Sequence, residues 1–164
     1  VDRGPANLEW RQIPLAVEAD TLHLDIENGP LRDPVAVNIG NPHMVFFVDD
    51  ADAIDVAGLG PALESHLLYP ERTNVEICSL SGPDQLRMRV WERGAGITQA
   101  CGSGACAAVV AAARRGLTGR RVETVLDGGP LNIEWREDGR VLMTGPVATS
   151  FEGTLGPELL AGGA

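Results

Sequence analysis

The sequence predicts an α+β fold in which a mostly antiparallel β-roll or barrel wraps around one buried central helix, as a single domain over residues 1–164. Two observations support this prediction. Short strand-like runs of apolar residues follow one another across Gly- and Asp-rich turns, which is typical of successive β-hairpins. A later segment, residues 105–113, is apolar on every side and almost entirely small, so it is expected to be a helix enclosed by strands.

The strands come in groups separated by turn signals. Residues 21–27 alternate apolar and polar side chains, which is the period-two pattern of a half-buried strand. The sequence Gly40-Asn41-Pro42-His43 separates the next two short apolar runs, and further turn signals lie at residues 81–84, 127–130 and 138–139. The predicted strands are residues 21–27, 35–39, 44–48, 74–80, 85–91, 121–126, 131–135 and 141–143.

Two helices are predicted between these strands. The first begins after Asp55, which is a favoured N-cap residue, and runs to Leu68, where Pro70 stops it. The second begins at Gly102 and ends at Gly116, since a glycine readily adopts the left-handed conformation of a helix C-cap. The final residues, 153–164, are rich in Gly and Leu and are expected to be loosely held.

Composition and charge narrow the class of protein. Lys and Arg total 13 against 23 Asp and Glu, and the formal net charge of −10 argues against nucleic acid and anionic membranes as partners. No apolar run approaches the ~20 residues that span a bilayer, and no signal-peptide pattern is present. The three cysteines, Cys78, Cys101 and Cys106, have no C-x-x-C spacing, so we expect reduced thiols, no metal site and a cytoplasmic location.

The segment Ala100-Cys101-Gly102-Ser103-Gly104 carries the strongest chemical signal. Cys101 lies where the small-residue helix begins, and the unpaired N–H groups of a helix N-terminus stabilise a thiolate or bind a carboxylate. Gly102 and Gly104 leave room for a ligand to approach the backbone. Cys106 lies inside the same helix and Cys78 in a strand pattern, so both are predicted to be core residues.

Three further motifs each allow two interpretations. Asn41 and His43, between two strands, form either an ordinary turn or a group that binds a zwitterion and tunes a thiol. Glu92 and Arg93 lie at a strand end before the Cys101 loop and are either solvated or part of a site. Asn74 is either a strand-start residue or a ligand contact.

Taken together in this order, these motifs resemble the C-terminal half of diaminopimelate epimerases. The matching strings are VDRGP, NIGNPHMV, PERTNVEI, WERGAGITQACGSGACAA and LMTGPV, which span almost the whole chain. The resemblance implies two similar lobes with the active site in the cleft between them, and one catalytic cysteine from each lobe. One thiolate removes the α-proton and the other thiol protonates the opposite face, without a cofactor.

The resemblance also assigns roles to individual residues of this chain. Cys101 matches one of the two catalytic thiols, the one usually labelled the proton acceptor, and His43 and Glu92 match positions that modulate the thiols. The implied reaction interconverts LL- and meso-diaminopimelate in lysine and peptidoglycan precursor biosynthesis. The positions that match substrate contacts are Asn41, Asn74, Glu92, Arg93, Gly102 and Ser103.

Only one cysteine has a Gly-rich helix-start context, and the sequence begins at Val1, so we expect that the N-terminal lobe is absent. That lobe is then the expected partner, beside the small-molecule substrate, and a homodimer is possible. Two other functions stay open: a non-catalytic amino-acid-binding lobe, and another isomerase of the same fold, of the proline racemase or phenazine-biosynthesis type. The PERTNVEI and WERGAGIT strings favour the diaminopimelate group.

Overall fold

A computed structural model describes residues 1–157, and within them the chain forms eleven strands and two helices. The helices are α1, Val56–Glu64, and α2, Gly102–Arg114. The strands are β1 Asp2–Pro5, β2 Glu27–Asn28, β3 Leu31–Arg32, β4 Val35–Asn38, β5 Pro42–Phe47, β6 Asn74–Gly82, β7 Gln85–Glu92, β8 Gly96–Ile97, β9 Arg121–Leu126, β10 Gly129–Trp135 and β11 Arg140–Thr144.

Nine of these strands form one curled sheet in the order β1-β11-β10-β9-β7-β6-β5-β4, with β8 paired to β7, while β2 and β3 form a separate ribbon. A single antiparallel bridge joins the two ends of the sheet. In it, the Asn7 N–H donates to the Asn38 carbonyl at 2.9 Å and the Asn38 N–H to the Asn7 carbonyl at 3.0 Å. The sheet therefore wraps around its concave face as the predicted roll does.

Helix α2 fills the interior of this roll. Every residue from Ser103 to Ala112 is buried, and the helix packs against strands on several sides, including β4, β10 and β11. Alanines make this possible because their small side chains let the strands approach the helix closely. Gly116 follows the helix with a φ of +68°, which confirms the predicted left-handed cap.

The outer face of β5 and β6 carries a second apolar layer. Helix α1 lies there with Val56 and Leu63 buried, beside Phe46, Met44 and other residues of the same cluster. The Asp55 side chain accepts a hydrogen bond from the Gly58 N–H at 3.0 Å, which confirms the predicted N-cap. The β5 and β6 strands are thus covered on both faces, which explains why their sequences read as nearly continuous apolar runs.

The predicted α+β roll around one buried helix is confirmed, although the sheet is more mixed than the turn signals indicate. Two strand pairs, β5 with β6 and β7 with β9, are parallel. A parallel pair needs a crossover connection, and α1 and α2 lie within these two connections. The hairpins at residues 81–84, 127–130 and 138–139 are antiparallel as predicted.

Two predicted elements are wrong in detail. Residues 21–26 form no strand, because several of their N–H groups bond locally, including His23 to the Asp20 carbonyl at 3.1 Å and Ile26 to the Leu24 carbonyl at 2.9 Å. Leu24 and Ile26 are nevertheless buried. The alternating pattern therefore predicted which side chains are buried, but it did not predict that the backbone forms no strand pairing.

Helix α1 ends at Glu64, four residues earlier than predicted. The Thr73 N–H donates to the Glu64 carbonyl at 3.0 Å. In the intervening segment the chain forms tight turns, in one of which the Tyr69 N–H donates to the carbonyl of His66, three residues earlier, at 2.8 Å. The predicted loose segment, residues 153–164, lies partly outside the described residues, and its described portion carries no sheet pairing. No helix within residues 1–157 is long and apolar enough to cross a bilayer.

Candidate functional site

Cys101 is the N-cap of the central helix. Its backbone is extended, with φ −130° and ψ 105°, and its Sγ accepts a hydrogen bond from the Gly104 N–H at 3.4 Å. The Ser103 hydroxyl lies 3.5 Å from the same sulfur. Only 5% of Cys101 is exposed. The predicted helix start is therefore confirmed, and it places a thiol and several backbone donors at one point.

The charge state of Cys101 is the reverse of what its helix position predicts. Burial, and then the negative charge of Glu76, raise the pKa of the Cys101 thiol to about 12, with a smaller contribution from Glu92. The hydrogen bonds from Ser103 and from the Gly104 N–H lower it, as predicted, but they do not outweigh burial. In this chain alone Cys101 is a neutral thiol near pH 7.

The other two cysteines are core residues, as predicted. Cys106 and Cys78 are both fully buried. Burial raises the pKa of Cys106 to about 11, and burial together with Glu76 raises the pKa of Cys78. Since the pKa of both the Cys101 and the Cys106 thiols is raised, the setting of Cys101 is distinguished by its polar neighbours and not by greater acidity.

A chain of hydrogen-bonded polar side chains runs from the partly exposed Asn41 to the buried Glu76. The His43 Nε2 lies 2.9 Å from the Asn41 Oδ1, and its Nδ1 lies 2.7 Å from the Glu76 Oε1. Both His43 and Glu76 are completely buried. They lie on the parallel strands β5 and β6, where His43 is opposite Asn74 and Val45 is opposite Glu76. The parallel pairing therefore brings the predicted Asn41 and His43 against a carboxyl that the sequence analysis did not single out.

Gly104 lets this carboxyl reach the helix terminus. A Cβ at Gly104 would lie 2.7 Å from the Glu76 Oε1 and 3.3 Å from the Cys101 Sγ. The first distance is too short for any real side chain, so only glycine allows Glu76 to lie here. Gly102 is less constrained, since its Cβ would lie 3.0 Å from the sulfur of Met143 on β11, which is near the end of a flexible side chain.

Asn74 and Arg93 are joined to each other and to the turn before β5. The Asn74 Oδ1 accepts from the Arg93 N–H at 2.9 Å, and its Nδ2 donates to the Pro42 carbonyl at 3.0 Å. Asn74 is only 3% exposed. Its amide thus fixes the position of the Arg93 backbone, while the Arg93 guanidinium donates to the Glu71 carbonyl at 3.0 Å.

Glu92 ends strand β7, and its carboxylate accepts a hydrogen bond from the Thr98 hydroxyl. Gly94 and Gly96 follow with φ values of +78° and +79°, which turn the chain back into β8 and towards Cys101. The loop is held at its far end by the Gly128 N–H, which donates to the Gln99 carbonyl at 2.6 Å. The β9–β10 hairpin therefore supports the Cys101 loop.

The structure brings all the predicted site residues into one connected group. Asn41, Glu92, Arg93 and Gly102 are partly exposed. His43, Asn74, Cys101 and Ser103 are buried. A surface cavity of about 470 Å³ lies elsewhere, against Arg120, Trp135 and neighbouring residues, and contains none of the predicted site residues.

Sequence reasoning missed Glu76 and Gly128. Glu76 did leave a signal, because a carboxyl occupies the middle of a strand whose neighbours are apolar and buried. Gly128 left none, since it reads as an ordinary residue of an Asp-Gly-Gly-Pro turn. The two other histidines lie outside the group: His23 pairs with Asp33 at 3.1 Å, and His66 accepts from the Leu68 N–H.

The fold and the site together define a class of protein: a β-roll around a small-residue helix whose N-cap residue carries a buried thiol. A solved structure described as a predicted epimerase from Pseudomonas aeruginosa has the same fold. It matches with a TM-score of 0.52 at 20% identity, over 87% of this chain and 52% of that chain.

Sequence comparisons identify the family within this class. The family model described as diaminopimelate epimerase matches residues 35–150. A curated diaminopimelate epimerase of Rhodospirillum centenum is 63% identical over 99% of this chain, and that of Erythrobacter litoralis is 56% identical over 94% of it. The chain belongs to the diaminopimelate epimerase family. It spans 56% and 57% of the length of these two relatives.

Proposed function

We propose that this chain supplies one half of a diaminopimelate epimerase and that Cys101 is one of its two catalytic thiols. The observation that carries the proposal is the placement of the Cys101 thiol at the N-terminus of a buried helix, close to Glu76, whose partner His43 contacts the partly exposed Asn41. The names of the relatives supply the substrate, diaminopimelate.

The chemistry required is proton transfer at a very weakly acidic carbon. Removal of an α-proton beside a carboxylate develops negative charge on that carboxylate, and the N–H groups at the start of α2 are fixed donors that stabilise such charge. The Arg93 guanidinium and the Asn41 amide are suited to hold the carboxylates of the substrate. In the proposed reaction the Cys101 sulfur accepts or donates the α-proton on one face.

Inversion needs a second acid or base on the opposite face of the carbon. We propose that it comes from a second lobe, because the chain spans little more than half of its relatives' length. The described residues place no second thiol beside Cys101, since Cys78 and Cys106 are enclosed in the core. A second copy of the chain, in a homodimer, is a further way to close the cleft. We propose that the enzyme acts in the cytoplasm.

The raised pKa of Cys101 favours a second, weaker possibility for the isolated chain, which is binding without turnover. A thiol with a pKa of about 12 is a poor base at neutral pH. We therefore expect that this chain alone neither inverts the substrate nor exchanges its α-hydrogen to an appreciable extent.

The test is incubation of LL-diaminopimelate in heavy water with the chain alone and then with a separately produced N-terminal lobe from a relative. Meso product and α-deuteration are measured by chiral chromatography and mass spectrometry. We expect product only in the second mixture. Robust meso product from the purified chain alone would contradict the two-lobe proposal.

Variants then locate the chemistry within the active mixture. Cys101→Ser should abolish turnover, while Cys106→Ser, a matched change five residues along the same helix, should retain it if the variant folds. Asn41→Ala and Arg93→Ala should raise the KM, because each leaves a charged group of the substrate short of a partner. Unchanged kinetic constants in both would remove these residues from the proposed site.

A further inference from the structure

Glu76 is a buried carboxyl that the fold does not need for packing. It is fully buried in strand β6, its Oε1 lies 2.7 Å from the His43 Nδ1, and within residues 1–157 its Oε2 has no hydrogen-bond partner. A buried unpartnered carboxyl oxygen costs stability, and an apolar side chain would fill a strand position between two apolar layers at lower cost. The position of the carboxyl therefore points to a role in the site.

The group on which the Glu76 carboxyl acts is the thiol of Cys101. The Glu76 Oε1 and the Cys101 Sγ lie within 2.7 and 3.3 Å of one point, the place a Cβ would occupy at Gly104. No side chain separates them, and both groups are shielded from water, so their charges interact strongly. Among the described residues, the charged groups that act on Cys101 are Glu76 and, more weakly, Glu92.

One basic side chain lies against Glu76. Within residues 1–157, the only basic side chain within ion-pair distance of Glu76 is that of His43. Tyr69 and Cys78, which also face it, have pKa values raised by burial and by Glu76 itself, and they are neutral near pH 7. The ring of His43 faces Glu76 with Nδ1 and Asn41 with Nε2, so both of its nitrogens are occupied by these two partners, and His43 is not among the groups that shift the pKa of Cys101.

We propose that Glu76 is a positioning residue that keeps Cys101 in its thiol form, so that Cys101 begins the reaction as the proton donor. The second half of this statement rests on the proposed function. In that step the S–H bond of Cys101 breaks, its proton forms the new C–H bond on one face of the α-carbon, and the S–H electron pair stays on sulfur. A base from the other lobe takes the original α-proton on the opposite face.

The proposal predicts that the reactivity of Cys101 depends on the charge of residue 76 and not on its shape. Glu76→Gln keeps the length of the side chain and removes its charge. Glu76→Asp keeps the charge and shortens the side chain, which leaves a larger gap in the packing. Removing a negative charge at this range lowers the thiol pKa by about one unit, which raises the thiolate fraction about tenfold near pH 8. Because a more acidic thiolate is a weaker nucleophile, the alkylation rate should rise about threefold.

The experiment is iodoacetamide labelling of the folded chain, without substrate, with each cysteine quantified by mass spectrometry. The readout is the labelling of Cys101 relative to Cys106, because Cys106 is fully buried and its acidity does not depend on Glu76. We expect this ratio to rise about threefold in Glu76→Gln and to stay near the parent value in Glu76→Asp. No rise in Glu76→Gln, or an equal rise in both variants, would overturn the proposal.

A measurement on the parent chain keeps the test independent of how the variants fold. Between pH 7 and 9.5 the rate at Cys101 should rise about tenfold for each pH unit without a plateau, since the thiol is far below its midpoint. A plateau below pH 9 would refute the proposal. These measurements use no substrate, so their outcome is separate from that of the epimerase assay.

Discussion

Replacing Ala108 with Leu tests the architecture at the centre of the roll. Ala108 is fully buried in α2, as are its neighbours Ala107 and Val109. Leu adds three carbon atoms where strands surround the helix, and because Ala and Leu are both strong helix formers, little of the effect can come from helix propensity. Overpacking a core of this kind costs about 1–3 kcal/mol. For a protein of this size, that lowers the Tm by about 2–12 °C.

Ala113→Leu is the matched control, because it makes the same change on the same helix at a position that is only partly buried. We expect this variant to melt within about 2 °C of the parent. Thermal unfolding followed by circular dichroism at 222 nm compares the two. Equal melting of Ala108→Leu and Ala113→Leu would mean that the face of α2 carrying Ala108 is not enclosed by strands, and the described roll would be wrong.

Two further predictions concern the packing that supports the strand leading to Glu92. In Gly60→Ala the new Cβ would lie 2.5 Å from two ring carbons of Trp91. The free energy of unfolding, measured with urea, should therefore fall by about 1–3 kcal/mol, despite the better helix propensity of Ala. A more stable variant would contradict this contact. The hydrogen bond from the Trp91 indole, with those from the Gly94 N–H and Arg72, lowers the pKa of Glu64 against the opposing effect of burial. The ionised Glu64 carboxylate therefore contributes its full stabilisation of the fold above about pH 4.5, and this stabilisation is lost as the pH falls through the lowered pKa of Glu64. The stability difference between the parent and Glu64→Gln should shrink below that pH, and a constant difference from pH 7 to pH 3 would refute the assignment.

The sequence predicted those parts of the fold that depend on local pattern. The small-residue run beginning at Gly102 could only be a buried helix, and the turn signals located the hairpins that follow β6, β9 and β10. The parallel pairs could not be predicted in this way, because a parallel pairing is set by which strands a crossover joins and leaves no short-range signal. The end of α1 was misplaced because the Glu64 carbonyl bonds to Thr73, a tertiary contact that helix periodicity does not report.

The site residues could be predicted as motifs but not as a network. Local sequence indicated Cys101 as a helix start, and family resemblance indicated Asn41, His43, Asn74 and Arg93. Their connection depends on the parallel pairing of β5 with β6, which places His43 against Glu76. The pKa of Cys101 was predicted in the wrong direction for the same reason, since the helix terminus is local and the opposing carboxyl comes from another strand.

The helix terminus and the two carboxyls act against each other at Cys101, and this opposition suits a site that is completed from outside the chain. Fixed N–H donors favour negative charge on sulfur, but they are outweighed by burial, Glu76 and Glu92. Closing a second lobe over the site would remove more water and disfavour the thiolate further unless positive charge arrived with it. A diamino dicarboxylate carries two ammonium groups beside its two carboxylates, so in the proposed reaction an ammonium group of the substrate brings positive charge close to Cys101, on which no cation of the described residues acts. A thiol that becomes reactive only when such a substrate is enclosed would also be protected from solution electrophiles in the empty lobe.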